Sequence, residues 1–190
     1  MKKRKYQQKA RADQALETRQ QIVEATVKLH EELGPANTSI KAIAEEAGVQ
    51  RLTVYRHFPD EEDLFEACTS HWLGLHPPPL VTEAADPKVS VEKTLLAVYR
   101  YYRQNERMWT GAYRDLESVP ALQASMAQVE AYFAGIRDAL LAAWQPQADK
   151  KKSFSMTLRH ALRFSTWQSL KTEKLSDKKM VQLVMVWLDK

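Results

Sequence analysis

The chain has 190 residues, 44% of them apolar, enough for one or two packed domains and too apolar for a disordered chain. Only 5 glycines are present, alternating apolar–polar runs are scarce, and apolar residues recur at helical spacing, so the expected fold class is all-α. The net charge of +4 is unevenly placed: Lys2, Lys3, Arg4, Lys5, Lys9 and Arg11 precede the first acid, Asp13, and the other residues sum to about −2.

A basic arm on a near-neutral body suits a polyanion, either a nucleic acid or, second, an anionic membrane. The alternative is a solvated tail. Cys68 is the single cysteine, so no internal disulfide forms, which fits a reducing cytoplasm. No apolar core follows the basic arm, so it does not read as a signal peptide. No apolar run approaches about 18 residues, so no membrane-spanning segment is expected.

Residues 1–16 read as a polar, flexible arm. From Thr18 to Leu33, the residues Ile22, Ala25, Leu29 and Leu33 share one helical face. Gly34-Pro35 stops that helix, with Gly34 suited to a left-handed cap. Thr38 is placed to N-cap a second helix. Ile40, Ile43, Ala44 and Ala47 line its inner face. Gly48 then stands where a tight turn needs a positive φ. A third helix runs to about His57, and Pro59-Asp60 ends it and caps a fourth. The segment "HPPPL" (76–80) breaks the chain. Longer helical patterns follow over roughly 90–105, 108–117, 119–144, 153–173 and 177–189.

On the third helix, Val54 and Phe58 share the buried face. Arg51 and Tyr55 share another, flanked by Gln50, Leu52 and Arg56. Arg pairs bidentately with guanine, Gln with adenine, and an aliphatic tip meets a thymine methyl. Thr53, Tyr55 and His57 suit phosphate contacts that fix register. This is a face that can read a major groove from a helix–turn–helix. The alternative is an ordinary helical hairpin with polar surface residues.

The stretch "TSIKAIAEEAGVQRLTVYRHFPDEEDLF" (38–65) resembles the N-terminal domain of the TetR family of one-component transcription regulators. The segment "LRHALRFSTWQSL" (158–170) is more loosely similar to the penultimate helix of many members. The resemblance implies about nine helices, with a three-helix helix–turn–helix domain followed by a helical ligand-binding and dimerisation domain. Boundaries of 1–16 for the arm, 17–66 for the DNA-binding domain and 67–190 for the rest are expected. It further implies a homodimer on a palindromic operator of double-stranded DNA, usually a repressor, released by a small ligand. By position, Thr38 contacts phosphate, and Arg51, Leu52 and Thr53 face bases or the adjoining backbone. Tyr55 and His57 clamp phosphates, and Arg56 flanks the groove. Three departures stand out. Gln50 and Leu52 are larger than usual, and Glu61 replaces a common phosphate-binding lysine.

In the C-terminal part, "YRYYRQNERMWTGAYRDLE" (99–117) offers Tyr102, Trp109 and Tyr113 as walls of a pocket for a small hydrophobic ligand. Aromatics at helical spacing equally fill a core. Leu158, Leu162, Ser165, Trp167 and Ser169, then Leu183, Val184 and Trp187, carry more apolar surface than a terminal hairpin buries alone. Self-pairing as a homodimer is therefore expected, with packing inside one chain as the alternative. Cys68, His71 and His76 do not share a helical face, so no metal is expected. No catalytic constellation is present, so neither an enzyme nor a cofactor is expected. The alternative function is a DNA-binding regulator governed by a protein partner, without a small-molecule pocket.

Overall fold

The computed structural model describes the backbone of residues 2–189 and the side chains of residues 7–189. Among the described residues there are ten α-helices, one 3-10 turn and no strand. The helices are α1 (Lys2–Leu33), α2 (Ile40–Glu46), α3 (Arg51–His57), α4 (Glu61–Leu75), α5 (Pro87–Gln104), α6 (Glu106–Asp115), α7 (Pro120–Trp144), α8 (Lys151–Ala161), α9 (Phe164–Thr172) and α10 (Asp177–Leu188). The helices form two compact units. One comprises Met1–His76 and Thr110–Met126, and the other Pro77–Trp109 and Ala127–Lys190.

In the first unit, α1 packs on α2 and α4, and α2 on α3. Ile22, Val23, Leu29, Ile43, Val54, Phe58, Leu64 and Phe65 are buried there. Burying such side chains contributes about 1.5–3 kcal/mol each. Thr26 satisfies its buried hydroxyl by donating to the Ile22 carbonyl at 2.7 Å. The basic arm is the start of α1 rather than a separate flexible segment, because Lys, Arg, Gln and Ala favour helix and no Gly or Pro interrupts them.

Gly34 adopts φ 87° and ψ 158°. The positive φ matches the expectation, but the ψ lies outside the left-handed helical cap. This is a region that only glycine enters cheaply. Asp115 explains the need, since its Oδ2 would stand 2.6 Å from an added Cβ, and the Arg114 guanidinium would lie closer still. Those groups hold the loop: Asp115 accepts from the Ala36 amide at 3.0 Å, and Arg114 donates to the Leu33 carbonyl at 3.0 Å.

In the second unit, α5 packs against α9 and α10, and α8 against α9 and α10. Tyr99, Tyr102, Leu95, Leu140, Leu158, Phe164 and Trp167 form its buried centre. The single helix expected over 153–173 is two helices, because Arg163 is extended, with ψ 141°. No Pro or Gly marks this break. Hydroxyls reach the carbonyls at the break: Ala161 accepts from Tyr99 at 3.0 Å, Leu162 from Tyr102 at 2.7 Å, and His160 from Thr166 at 2.6 Å as well as from the Arg163 amide at 3.1 Å. Buried carbonyls must be paired, and α5 supplies two of the three hydroxyls.

Candidate DNA-binding site

The turn between α2 and α3 closes on three backbone hydrogen bonds. The Ala47 amide donates to Ile43, Gly48 to Glu45 and Val49 to Ala44, at 2.9, 3.2 and 2.9 Å. Gly48 has φ 67° with open space around its Cα, so the backbone conformation alone calls for glycine there. The turn delivers Gln50, extended at ψ 149°, as the N-cap of α3. Its carbonyl accepts from Thr53 at 2.8 Å and Val54 at 3.3 Å, so its side-chain amide takes no part in the cap.

Val54 is fully buried and Phe58 nearly so, which fixes the rotation of α3. Arg51, Leu52, Tyr55 and Arg56 consequently face solvent, with Leu52 at 76% exposure. Thr53 and His57 are half-buried at the edges of that face.

Thr38 does not cap α2. Its hydroxyl donates to the Gly34 carbonyl at 2.9 Å. Ser39 is the N-cap, accepting from the Ala42 amide at 3.1 Å. Two adjacent hydroxyl residues precede α2, and the backbone bend at Gly34 engages the first, leaving the second for the helix. Asp60 stands at the N-cap of α4 as expected, without a side-chain cap bond. Glu61, Glu62 and Asp63 occupy the first turn, where carboxylates suit the helix dipole.

Arg19 of α1 escaped the sequence reading. Its guanidinium carbon lies 4.5 Å from the centre of the Phe58 ring, a cation–π contact. The available signal was its position three residues before Ile22, beside the buried face of α1. Arg19, Gln20, His57, Asp63, Glu66, Ser70 and His71 line a polar concavity of about 710 Å³. The His57 imidazole is held below its ordinary pKa, first by burial and then by Arg56 and Arg19.

Residues 22–68 match the family model described as "Bacterial regulatory proteins, tetR family". They form a TetR-family domain. That domain is 44% identical over 52 residues to the HTH-type transcriptional regulator AcrR of Shigella flexneri, covering 27% of this chain and 24% of that protein. The chain thus spans about a quarter of the length of the curated relatives it matches. Beyond the TetR-family domain the likeness is one of fold. A tetR-family transcriptional regulator from Streptomyces coelicolor superposes with a TM-score of 0.66 at 20% identity, over 90% of this chain and 78% of that one. RolR, solved in complex with the ligand resorcinol, superposes with a TM-score of 0.53 at 19% identity, over 92% and 88%.

The residues expected to wall a ligand pocket are divided between the units. Tyr102 and Trp109 belong to the second, and Tyr113 to the first. Tyr102 is 1% exposed, and its ring lies 5.4 to 5.7 Å from those of Trp109, Phe164 and Phe133. These two aromatics fill a core. Of the expected dimer residues, Leu158, Leu162, Trp167 and Val184 are buried inside their own chain and have no surface left to offer a partner. Ser165, Ser169 and Leu183 are exposed, and Trp187 is half-buried. Met156 and Val186, which periodicity did not single out, are the more exposed apolar side chains of α8 and α10. Cys68 is buried and its thiol is pushed up to about 12 by that burial, so it is no nucleophile.

Proposed function

We propose that this protein is a DNA-binding transcriptional regulator, a homodimeric repressor of a palindromic operator that a small hydrophobic ligand releases. The observation that carries the reading is the exposed face of α3, which presents Arg51, Leu52, Tyr55 and Arg56 from a TetR-family domain. Arg51 and Gln50 read base edges, and Leu52 meets a thymine methyl. Thr38, Thr53, Tyr55, Arg56 and His57 hold the backbone and set register. The cytoplasm is the matching compartment, and no catalytic step is assigned.

Two copies bind both half-sites when their α3 helices stand about one DNA turn apart, roughly 34–36 Å. The resorcinol complex of RolR supports a small, planar aromatic ligand. A ligand that favours a different spacing weakens operator binding by about 5–150-fold, a coupling of about 1–3 kcal/mol, and the operator weakens ligand binding equally.

The second reading is a DNA-binding regulator governed by a protein partner. The close packing of Tyr102 and Trp109 favours it, because a ligand there must part their rings. Both readings are tested by selecting the operator from random genomic fragments, then titrating planar apolar compounds against protein alone and the protein–operator complex. Trp109 serves as reporter. Weaker ligand binding in the complex supports induction by that compound. Equal affinity in both eliminates it, and failure to retain any DNA sequence eliminates the regulator reading itself.

A further inference from the structure

Between positions 150 and 172 the sequence carries Lys150, Lys151, Lys152, Arg159, Arg163 and Lys171, and no Asp or Glu. Met156, Arg159, His160 and Arg163 follow one another at helical spacing and are all exposed, with Met156 at 63%. Together they line one concavity of about 220 Å³ at the joint of α8 and α9. The two arginines have no acid to answer them. Among the described residues neither forms an ion pair, whereas Arg103 and Arg114 do. α10 packs on α8 and α9, but its acids are engaged elsewhere, Asp177 by Arg103 and Asp189 by Lys88, both of α5. Glu173 stands at the opposite end of α9 from Arg163. The backbone that carries the guanidiniums is held in place. The carbonyls of His160, Ala161 and Leu162 accept from Thr166, Tyr99 and Tyr102, and the Arg163 amide closes on His160. A site whose backbone is already ordered loses less freedom on binding.

Two guanidiniums in one concavity match a dianion better than a single charge. A phosphate monoester carries close to two negative charges above neutral pH and offers three acceptor oxygens. Each arginine can present it a pair of N–H donors. The Met156 thioether and the His160 ring give the same concavity a wall for an apolar group. We propose that this concavity binds a small organic phosphate monoester, its phosphate between Arg159 and Arg163 and its apolar body along Met156. All four residues belong to one chain and to one of its two units. The site therefore needs neither a second copy nor the DNA-binding reading. Tyr102 and Trp109 do not line it, so a ligand enters without parting their rings.

The test titrates the full chain with phenyl phosphate by calorimetry, in a phosphate-free chloride buffer at constant ionic strength and about pH 7.5, where the probe is a dianion. Binding is expected to saturate at one ligand per chain. Arg159→Gln and Arg163→Gln should each weaken it about tenfold or more, through loss of a charge-assisted pair. Arg159→Lys should weaken it less than Arg159→Gln, because the charge stays. Inorganic phosphate should bind the wild type less tightly than phenyl phosphate, and Met156→Ser should narrow that gap. The Trp187 ring lies 6.5 Å from that of His160. Phenyl phosphate should therefore change the tryptophan emission, and Trp187→Phe should remove the change. A thermal melt of each variant shows that it is folded. If Arg163→Gln, at the joint, does not fold, Arg159→Gln decides. A titration that never saturates overturns the site, and so does wild-type affinity in Arg159→Gln. Equal affinity for inorganic phosphate overturns the organic ligand. None of these outcomes bears on the binding of duplex DNA.

Discussion

At the scale of single residues, the side chains of α3 divide into two kinds whose substitutions have different signatures. Arg51 is exposed on the outer face of α3, and the proposed base contact is a guanidinium paired with the two acceptors of guanine. Arg51→Ala is expected to cost about 1–3 kcal/mol and to relax preference at one base position. Tyr55→Phe is expected to weaken binding to every sequence alike. Comparing selected sequence logos of the two variants checks both, and an unaltered logo for Arg51→Ala would remove that residue from base reading. His30 is a residue-scale feature of another kind. It is 6% exposed, packs its ring 5.0 Å from that of Phe65, and is pushed down to about 4 by burial, opposed by Asp115. The unfolded chain therefore binds the proton first as pH falls. The stability that His30 contributes is complete above about pH 6.5 and is lost on the way to pH 4. The amount is about 3 kcal/mol. Urea midpoints should fall across that window, and His30→Gln should flatten the fall.

At the scale of elements, helix periodicity located almost every helix within a few residues, because one buried face per helix leaves a 3.6-residue signature. What it missed was set by partners far along the chain. The break at Arg163 is met by hydroxyls of Tyr99 and Tyr102, more than sixty positions upstream, beside the local hydroxyl of Thr166, and no Pro or Gly announces it. The choice of Ser39 over Thr38 as N-cap depends on the backbone of Gly34. The exposed face of α3 was legible because it lies within seven consecutive residues. Arg19 was not, because its place beside Phe58 exists only once α1 has packed. The basic start of α1 yields an element-scale prediction. Deleting residues 2–11 removes six positive charges, and the log–log salt slope for duplex binding should fall by about 5 per subunit at most. An unchanged slope would make the arm a passive extension.

At the scale of the whole molecule, burial separates two leucines that periodicity treats alike. Leu162 is 2% exposed, whereas Leu183 is 40% exposed, in a helix that also shows Val186. Leu162→Asp should place an unpaired charge in the core and cost several kcal/mol, roughly 3–5, unfolding the chain. Leu183→Asp should leave helicity intact and shift sedimentation from dimer to monomer. A wild type that sediments as a monomer at micromolar concentration would refute the dimer. The joint between α8 and α9 has a further consequence, for sequence drift. Its carbonyls are backbone atoms that any residue supplies, so positions 160–162 can change without disturbing the bend if the core volume is kept. The hydroxyls on α5 have no such latitude. A descendant carrying Phe at both 99 and 102 would strand two buried carbonyls, and straightening 151–172 into one rod is its simplest escape. The bend between α8 and α9 thus leans on two oxygen atoms of another helix as well as on its own Thr166.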